Sequence, residues 1–249
     1  MEKYFDIRYE FSVPQIHRAI EEQVARNCPD YICVADGNIL NMVYHDSHYR
    51  DVINGGMFSI CDSSWVPQFI KWIYGHQRTH YCGSDIFIDI VRSCKYRMIF
   101  LGTQQKTLDA LQHNLQQYNP AVAQMTFKEL PYCNVDEFDY AGIAQTIEQD
   151  GADIIWIALG APKQELFMNR LKPHLKRGVI IAIGAAFNFY SGLADAPQRC
   201  PAWLRKLHLE FAHRIYTEPR KQLKRCSGIM ATLPRILHKE RKAKLSKQG

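Results

Sequence analysis

Two aspartates stand at equivalent places in this chain, each directly after a short apolar run: Asp36 after YICVA and Asp62 after MFSIC. A carboxylate beside a bound hydroxyl can take its proton, so either can serve as a general base, and an aspartate that merely caps the next helix satisfies the same pattern. A third run, DIIWIALGAPKQE over residues 153–165, breaks at Gly160 and enters a helix at once, with Pro162 where a first turn tolerates it. Such a junction presents unpaired N–H groups that attract phosphate, and Gln164 and Glu165 fall within the first turn; a tight turn without a ligand is the competing reading. His80 precedes Gly83, Ser84 and Asp85 at another helix entrance, and Gly102 and Thr103 follow a further buried run. A glycine there lets backbone come close to a nucleotide. Asn188 leaves the last apolar run, placed to read a base or sugar edge or to cap the turn.

The elements that hold these positions alternate. Strands are expected over residues 3–8, 31–35, 57–61, 98–101, 121–127, 154–159 and 179–183. Helices are expected over 13–27, from 38, from 65, over 86–95, from 104, over 137–149 and from 162. Alternation of this length predicts an α/β fold with a mostly parallel sheet and helices on both faces, and ligands then sit at the carboxyl ends of the strands. Two further helices are expected, over 201–216 and from about 217, the second bringing Arg220 and Lys224 onto a basic face.

Charge divides the chain in the same place. Residues 1–198 carry 17 Lys and Arg against 22 Asp and Glu, whereas residues 199–249 carry 14 against 3. The expected organisation is therefore an α/β body over 1–198 and a basic appendage over 199–249. Past Cys226 a short apolar run mixed with basic side chains suits an anionic membrane surface, since no run approaches the ~20 residues of a bilayer crossing. On this reading the last 22 residues are separable from the ligand site. The first residues, MEKYFDIRYEF, lack signal-peptide form, which predicts a cytoplasmic protein. Eight cysteines without C-x-x-C spacing, and no D-x-D pair, predict reduced thiols and metal independence. The acidic body and the lack of a basic aromatic groove count against nucleic acid.

Three ordered motifs carry a family resemblance: GSD at Gly83, Ser84 and Asp85, IALGAPKQE, and IAIGAAFNFYSGLADAPQRCPAWLRKLHLEFAHRIYTEPRK. Over residues 31–225 the chain resembles the WecG/TagA/CpsF family of bacterial glycosyltransferases, glycosyltransferase family 26. The resemblance implies a Rossmann-like domain with a C-terminal appendage, the GT-E fold. It implies metal-independent transfer, with inversion, of a sugar from a UDP-sugar to a polyprenyl-diphosphate-linked saccharide at the inner face of the cytoplasmic membrane. It also assigns roles: Asp62 as general base, Gln164 near the nucleotide sugar, and Arg214, Arg220 and Lys224 at the UDP diphosphate. Those cations would stabilise charge that grows as UDP leaves.

The chain departs from the family pattern at Asp36, usually Asn, at His80, often Arg, at Asn188, often Asp, and at Ser63, usually Gly. These positions line the expected pocket, so the identity of the donor sugar is left open between the N-acetylmannosamine type of well-known relatives and another. Two other functions fit parts of the pattern. A nucleotide-dependent oxidoreductase also uses a doubly wound sheet, although G-x-G-x-x-G is missing, and a non-enzymatic polyanion-binding protein would explain the basic end.

Overall fold

The computed structural model describes residues 1–194, 200, 201, 204, 215, 216 and 219–245. Eight strands form one sheet in the order β1-β2-β4-β3-β8-β7-β5-β6. They are β1 (Glu2–Tyr4), β2 (Ile7–Tyr9), β3 (Asp30–Ala35), β4 (Phe58–Cys61), β5 (Met98–Gly102), β6 (Thr126–Lys128), β7 (Ile154–Ala158) and β8 (Val179–Ala182). Only the β1–β2 pair is antiparallel. The expected α/β fold, mostly parallel with helices on both faces, is what the chain adopts.

Among the described residues, nine helices connect or flank the strands: α1 (Val13–Ala25), α2 (Gly37–His45), α3 (Ser47–Asn54), α4 (Val66–Tyr74), α5 (Gly83–Ser93), α6 (Gln105–Leu115), α7 (Tyr140–Asp150), α8 (Lys163–Leu171) and α9 (Ala186–Ser191). The apolar run of β7 is buried on both sides because the sheet is covered twice. Ile155 and Ile157 join a core with Phe167 and Met168 of α8, while Ile154 and Trp156 face the other way onto Phe87 of α5 and Leu108 of α6. Trp156 is fully buried, with its ring edge-on to Phe87 at 5.0 Å. Period-2 alternation with both faces apolar is what a central parallel strand requires.

Three expectations are corrected. The strand expected over 3–8 is a hairpin, because Phe5 and Asp6 both adopt positive φ (52° and 62°) and fold β1 back on β2. The strand expected over 121–127 shrinks to β6, since Pro120–Gln124 forms a 3-10 turn with Asn119 accepting the Ala121 N–H at 3.0 Å. Helix α5 starts at Gly83, three residues earlier than its apolar pattern.

The basic end is not a free tail. Residues Pro219–Leu245 form one helix, here the C-terminal helix, with Thr232, Ile236 and Glu240 buried against the body. It lies on α2 and α4: Glu240 accepts the Tyr74 hydroxyl at 2.7 Å, Lys244 Nζ donates to the Ile73 carbonyl at 2.7 Å, and the Thr232 hydroxyl bonds the Asn41 side chain. Lys239 pairs with Asp6 at 2.7 Å, and Arg241 stacks over Trp72 at 4.7 Å. Leu223 and Met230 of this helix are 57% and 73% exposed.

Candidate active site

The carboxyl ends of β4, β3, β8, β7 and β5 lie side by side, and each turns into a polar junction. Asp36 and Asp62 leave neighbouring strands, with Ala35 opposite Cys61 and the Asp62 N–H bonded to the Ala35 carbonyl at 3.0 Å. Their side chains do different things. Asp36 Oδ1 accepts the N–H groups of Asn38 and Ile39, both at 2.9 Å, so it caps its own helix α2. Asp62 does not cap the helix that follows it, whose N-cap is Trp65. It reaches instead to the entrance of α5, where Oδ1 accepts the Gly83 N–H at 2.8 Å. The capping alternative therefore describes Asp36 and not Asp62. Asp62 is tied to one backbone donor at a helix start, where the helix dipole favours negative charge.

Gly83 brings the GSD segment against the sheet: a Cβ there would stand 3.0 Å from Val34 Cγ1. Gly83 is buried, Ser84 and Asp85 are half-buried, and the Ser84 carbonyl accepts the Tyr190 hydroxyl at 3.2 Å. His80, half-buried, lies one residue before Tyr81, whose N–H bonds the Cys61 carbonyl at 2.9 Å at the end of β4. Asn188 is half-buried in α9, which begins just beyond β8, so the turn expected after that strand is a short helix.

Across the sheet, the exits from β5, β7 and β8 share left-handed backbone at Gly102 (φ 114°), Thr103 (50°), Gly160 (78°) and Gly184 (52°). At Gly102 this conformation comes with a close approach, since a Cβ would meet the Ala158 carbonyl oxygen at 2.5 Å. Gly102→Ala should therefore destabilise the fold by more than the ~1–2 kcal/mol of left-handed strain alone. Gly151, also left-handed at φ 73° but with nothing within 4 Å of its virtual Cβ, provides the strain-only control. Thermal denaturation of Gly102→Ala and Gly151→Ala measures the difference; equal losses would show that the approach to Ala158 carries no weight.

The Gly160 junction is held from inside. Gln164 Oε1 accepts the Gly160 N–H at 3.0 Å, and Gln164 Nε2 donates to Glu165 Oε1 at 2.7 Å. Glu165 Oε2 accepts the Tyr49 hydroxyl at 3.0 Å. Gln164 is 5% and Glu165 0% exposed, so both of the residues read as ligand contacts lie beneath the turn, with Glu165 out of reach of solvent. Burial pushes the Glu165 carboxyl up to about 7, opposed by its hydrogen bonds to Gln164 and Tyr49 and reinforced by the charge of Asp36. Lys163 turns outward, over the rings of Phe138 (4.9 Å) and Tyr132 (5.5 Å).

Two groups of contacts thus line this edge of the sheet, Asp62 with Gly83 beside Asp36, and Gly160 with Gln164 and Glu165; the charge of Asp36 acts on Glu165 across them, and Gly102 pairs with Ala158 on the β5 side. Sequence reasoning missed Tyr49, because nothing marked residues 47–54 as a helix reaching the site. Arg214 lies outside the described residues, and Arg220 and Lys224 fall on the first two turns of the C-terminal helix. Among the described residues no three His, Cys, Asp or Glu side chains stand together as a metal site.

An N-acetylglucosaminyldiphosphoundecaprenol N-acetyl-beta-D-mannosaminyltransferase of Bacillus subtilis is 25% identical over 177 residues, covering 70% of this chain and 66% of the relative. The match thus spans just under two thirds of that relative's length. Proteins of the same name from Bacillus spizizenii and Staphylococcus aureus are each 22% identical, covering 76% and 86% of this chain and 72% and 80% of their own lengths. The model of the glycosyl transferase WecG/TagA/CpsF family matches residues 4–248, and the chain belongs to that family.

Proposed function

We propose that this protein is an inverting glycosyltransferase that moves a sugar from a UDP-sugar to a lipid-diphosphate-linked saccharide in surface polysaccharide synthesis. The observation that carries the reading is Asp62, delivered by β4 to the crevice and fixed on the Gly83 N–H at 2.8 Å. In this mechanism Asp62 takes the proton of the acceptor hydroxyl as its oxygen attacks the anomeric carbon. The new C–O bond forms on the face opposite the bond to UDP, which breaks, so configuration inverts and UDP departs with the electron pair. The turns at Gly102, Thr103 and Gly160 receive the nucleotide, and the half-buried His80, Ser84, Asp85 and Asn188 surround the sugar.

No metal is assigned a step. Charge growing on UDP falls to Arg214, Arg220 and Lys224, which the family resemblance aligns with the diphosphate. Arg214→Ala and Arg220→Ala should each lower turnover by roughly 10²-fold or more, with little loss of binding to anionic vesicles. Lysine should rescue in part, keeping charge without the planar fork. Normal turnover with lost vesicle binding would move both arginines to the membrane.

Peripheral attachment to the inner face of the cytoplasmic membrane is the matching location. No helix among the described residues is long and apolar enough to cross a bilayer. The C-terminal helix carries exposed Leu223 and Met230 and, further along, exposed Arg235, Arg241 and Lys242, a composition suited to anionic lipid. The curated relatives are named for N-acetylmannosaminyl transfer to an undecaprenol-diphosphate-linked N-acetylglucosamine. Asp36, His80 and Asn188 make the donor sugar the open variable. A panel of UDP-sugars, scored for UDP release with a lipid-diphosphate acceptor present, tests the whole reading; release from none of them, or tighter binding of NAD than of UDP, would overturn it.

A further inference from the structure

We propose that Glu165 is a positioning residue of the donor site, a buried anchor that fixes the Gln164 carboxamide and through it the Gly160 turn. The inference rests on the donor reading above and adds a residue that touches no ligand. A fully buried carboxyl group is costly to keep unless its oxygens are satisfied, and those of Glu165 are satisfied by neutral donors, the side chains of Tyr49 and Gln164 and its own backbone N–H. Tyr49 of α3 holds Oε2, and Gln164 Nε2 holds Oε1. The carboxamide oxygen left over takes the Gly160 N–H, so a single line of bonds runs from α3 through α8 to the exit of β7.

This line orients an otherwise ambiguous group. A carboxamide has two ends that can exchange; the Gly160 N–H selects Oε1, and a group accepting from Nε2 fixes the same orientation from the other end. Glu165 is that acceptor. The bond is strongest when Glu165 is ionised, because an ionised acceptor gives a shorter, tighter hydrogen bond. Tyr49 from α3 and Gln164 beside it bond the carboxyl, and Asp36 at the start of α2 and Cys33 from β3 interact with it electrostatically. Asp36 and burial favour the protonated form, while Tyr49 and Gln164 favour the ionised one. With these balanced near neutrality, the grip on the Gly160 turn tightens as pH rises.

Two measurements on the full chain test this. The first follows the Gln164 side-chain amide by nuclear magnetic resonance between pH 5.5 and 8.5 in the wild type, Glu165→Gln and Tyr49→Phe. The wild-type resonances should move with a midpoint near 7, those of Glu165→Gln should stay still, and Tyr49→Phe should move its midpoint upward, having lost a donor that favours the ionised form. The second titrates UDP by calorimetry at both ends of that range. The ratio of wild-type to Glu165→Gln affinity, in which the ionisation of UDP itself cancels, should rise roughly threefold or more from low to high pH. Melting curves verify that each variant is folded, and Tyr49→Phe carries the test if Glu165→Gln does not fold. A still Gln164 amide in the wild type, or a constant affinity ratio, would overturn the anchor. A moving amide with no UDP binding to any variant would support the anchor's hold on Gly160 and overturn the donor reading instead.

Discussion

Asp62→Asn should lower turnover by roughly 10²- to 10⁴-fold while leaving UDP affinity nearly unchanged. Asparagine keeps an oxygen where Oδ1 now accepts the Gly83 N–H at 2.8 Å, so the entrance of α5 keeps its partner. What disappears is a group able to take a proton. Asp36→Asn is the matched comparison. Its Oδ1 accepts the N–H groups of Asn38 and Ile39, a task an asparagine oxygen performs equally well at an N-cap, so turnover should stay within a few-fold of the wild type. The two carboxylates leave adjacent strands and look alike in sequence, yet only one is engaged in capping its own helix. Steady-state rates and UDP titrations of both variants decide between them. An active Asp62→Asn beside an inactive Asp36→Asn would exchange their roles.

That contrast marks how far the chain could be read before its structure. The positions of Asp36, Asp62, Gly102 and Gly160 at strand exits followed from apolar runs ending in polar or small residues, because a doubly covered sheet must bury every residue of its central strands. The direction of the Asp62 side chain did not follow. Its partner Gly83 is 21 residues away in sequence, and local pattern carries no signal for a contact across that distance. Glu165 shows the same limit from the other side. A charged residue in the first turn of a helix reads as exposed, but here α3 packs over it and Tyr49, 116 residues earlier, supplies its hydrogen bond. The hairpin at Phe5 and Asp6 was hidden because neither residue is a glycine, the usual mark of positive φ.

Deleting residues 228–249 should cost both stability and donor-site function, against the expectation that the basic end is separable. Besides the Lys239–Asp6 pair, the C-terminal helix touches the two helices that begin just beyond the candidate carboxylates. On α2, which starts after Asp36, Ile229 lies 3.6 Å from the virtual Cβ of Gly37, and Thr232 bonds Asn41. On α4, which follows Asp62, Tyr74 bonds Glu240 and the Ile73 carbonyl takes Lys244. Removing this segment uncovers the contact surface of Ile236, worth about 1.5–3 kcal/mol for a fully buried side chain. It also breaks the Tyr74–Glu240 bond, whose charged acceptor places it at about 1.5–3 kcal/mol. The ordering entropy of the deleted turns is recovered and offsets part of this, leaving a net loss on the order of 2–4 kcal/mol. For a chain of this size that corresponds to a fall in Tm of roughly 5–15 °C. UDP affinity should fall as well, because α2 and α4 lose the strut that sets their entry angles beside Asp36 and Asp62. Glu240→Gln separates support from membrane attachment: it keeps the helix and its exposed basic face, weakens the charge-assisted bond to Tyr74, and should lower Tm slightly while vesicle sedimentation stays as in the wild type. A truncated protein with unchanged Tm and UDP affinity, deficient only in vesicle binding, would restore the separable tail.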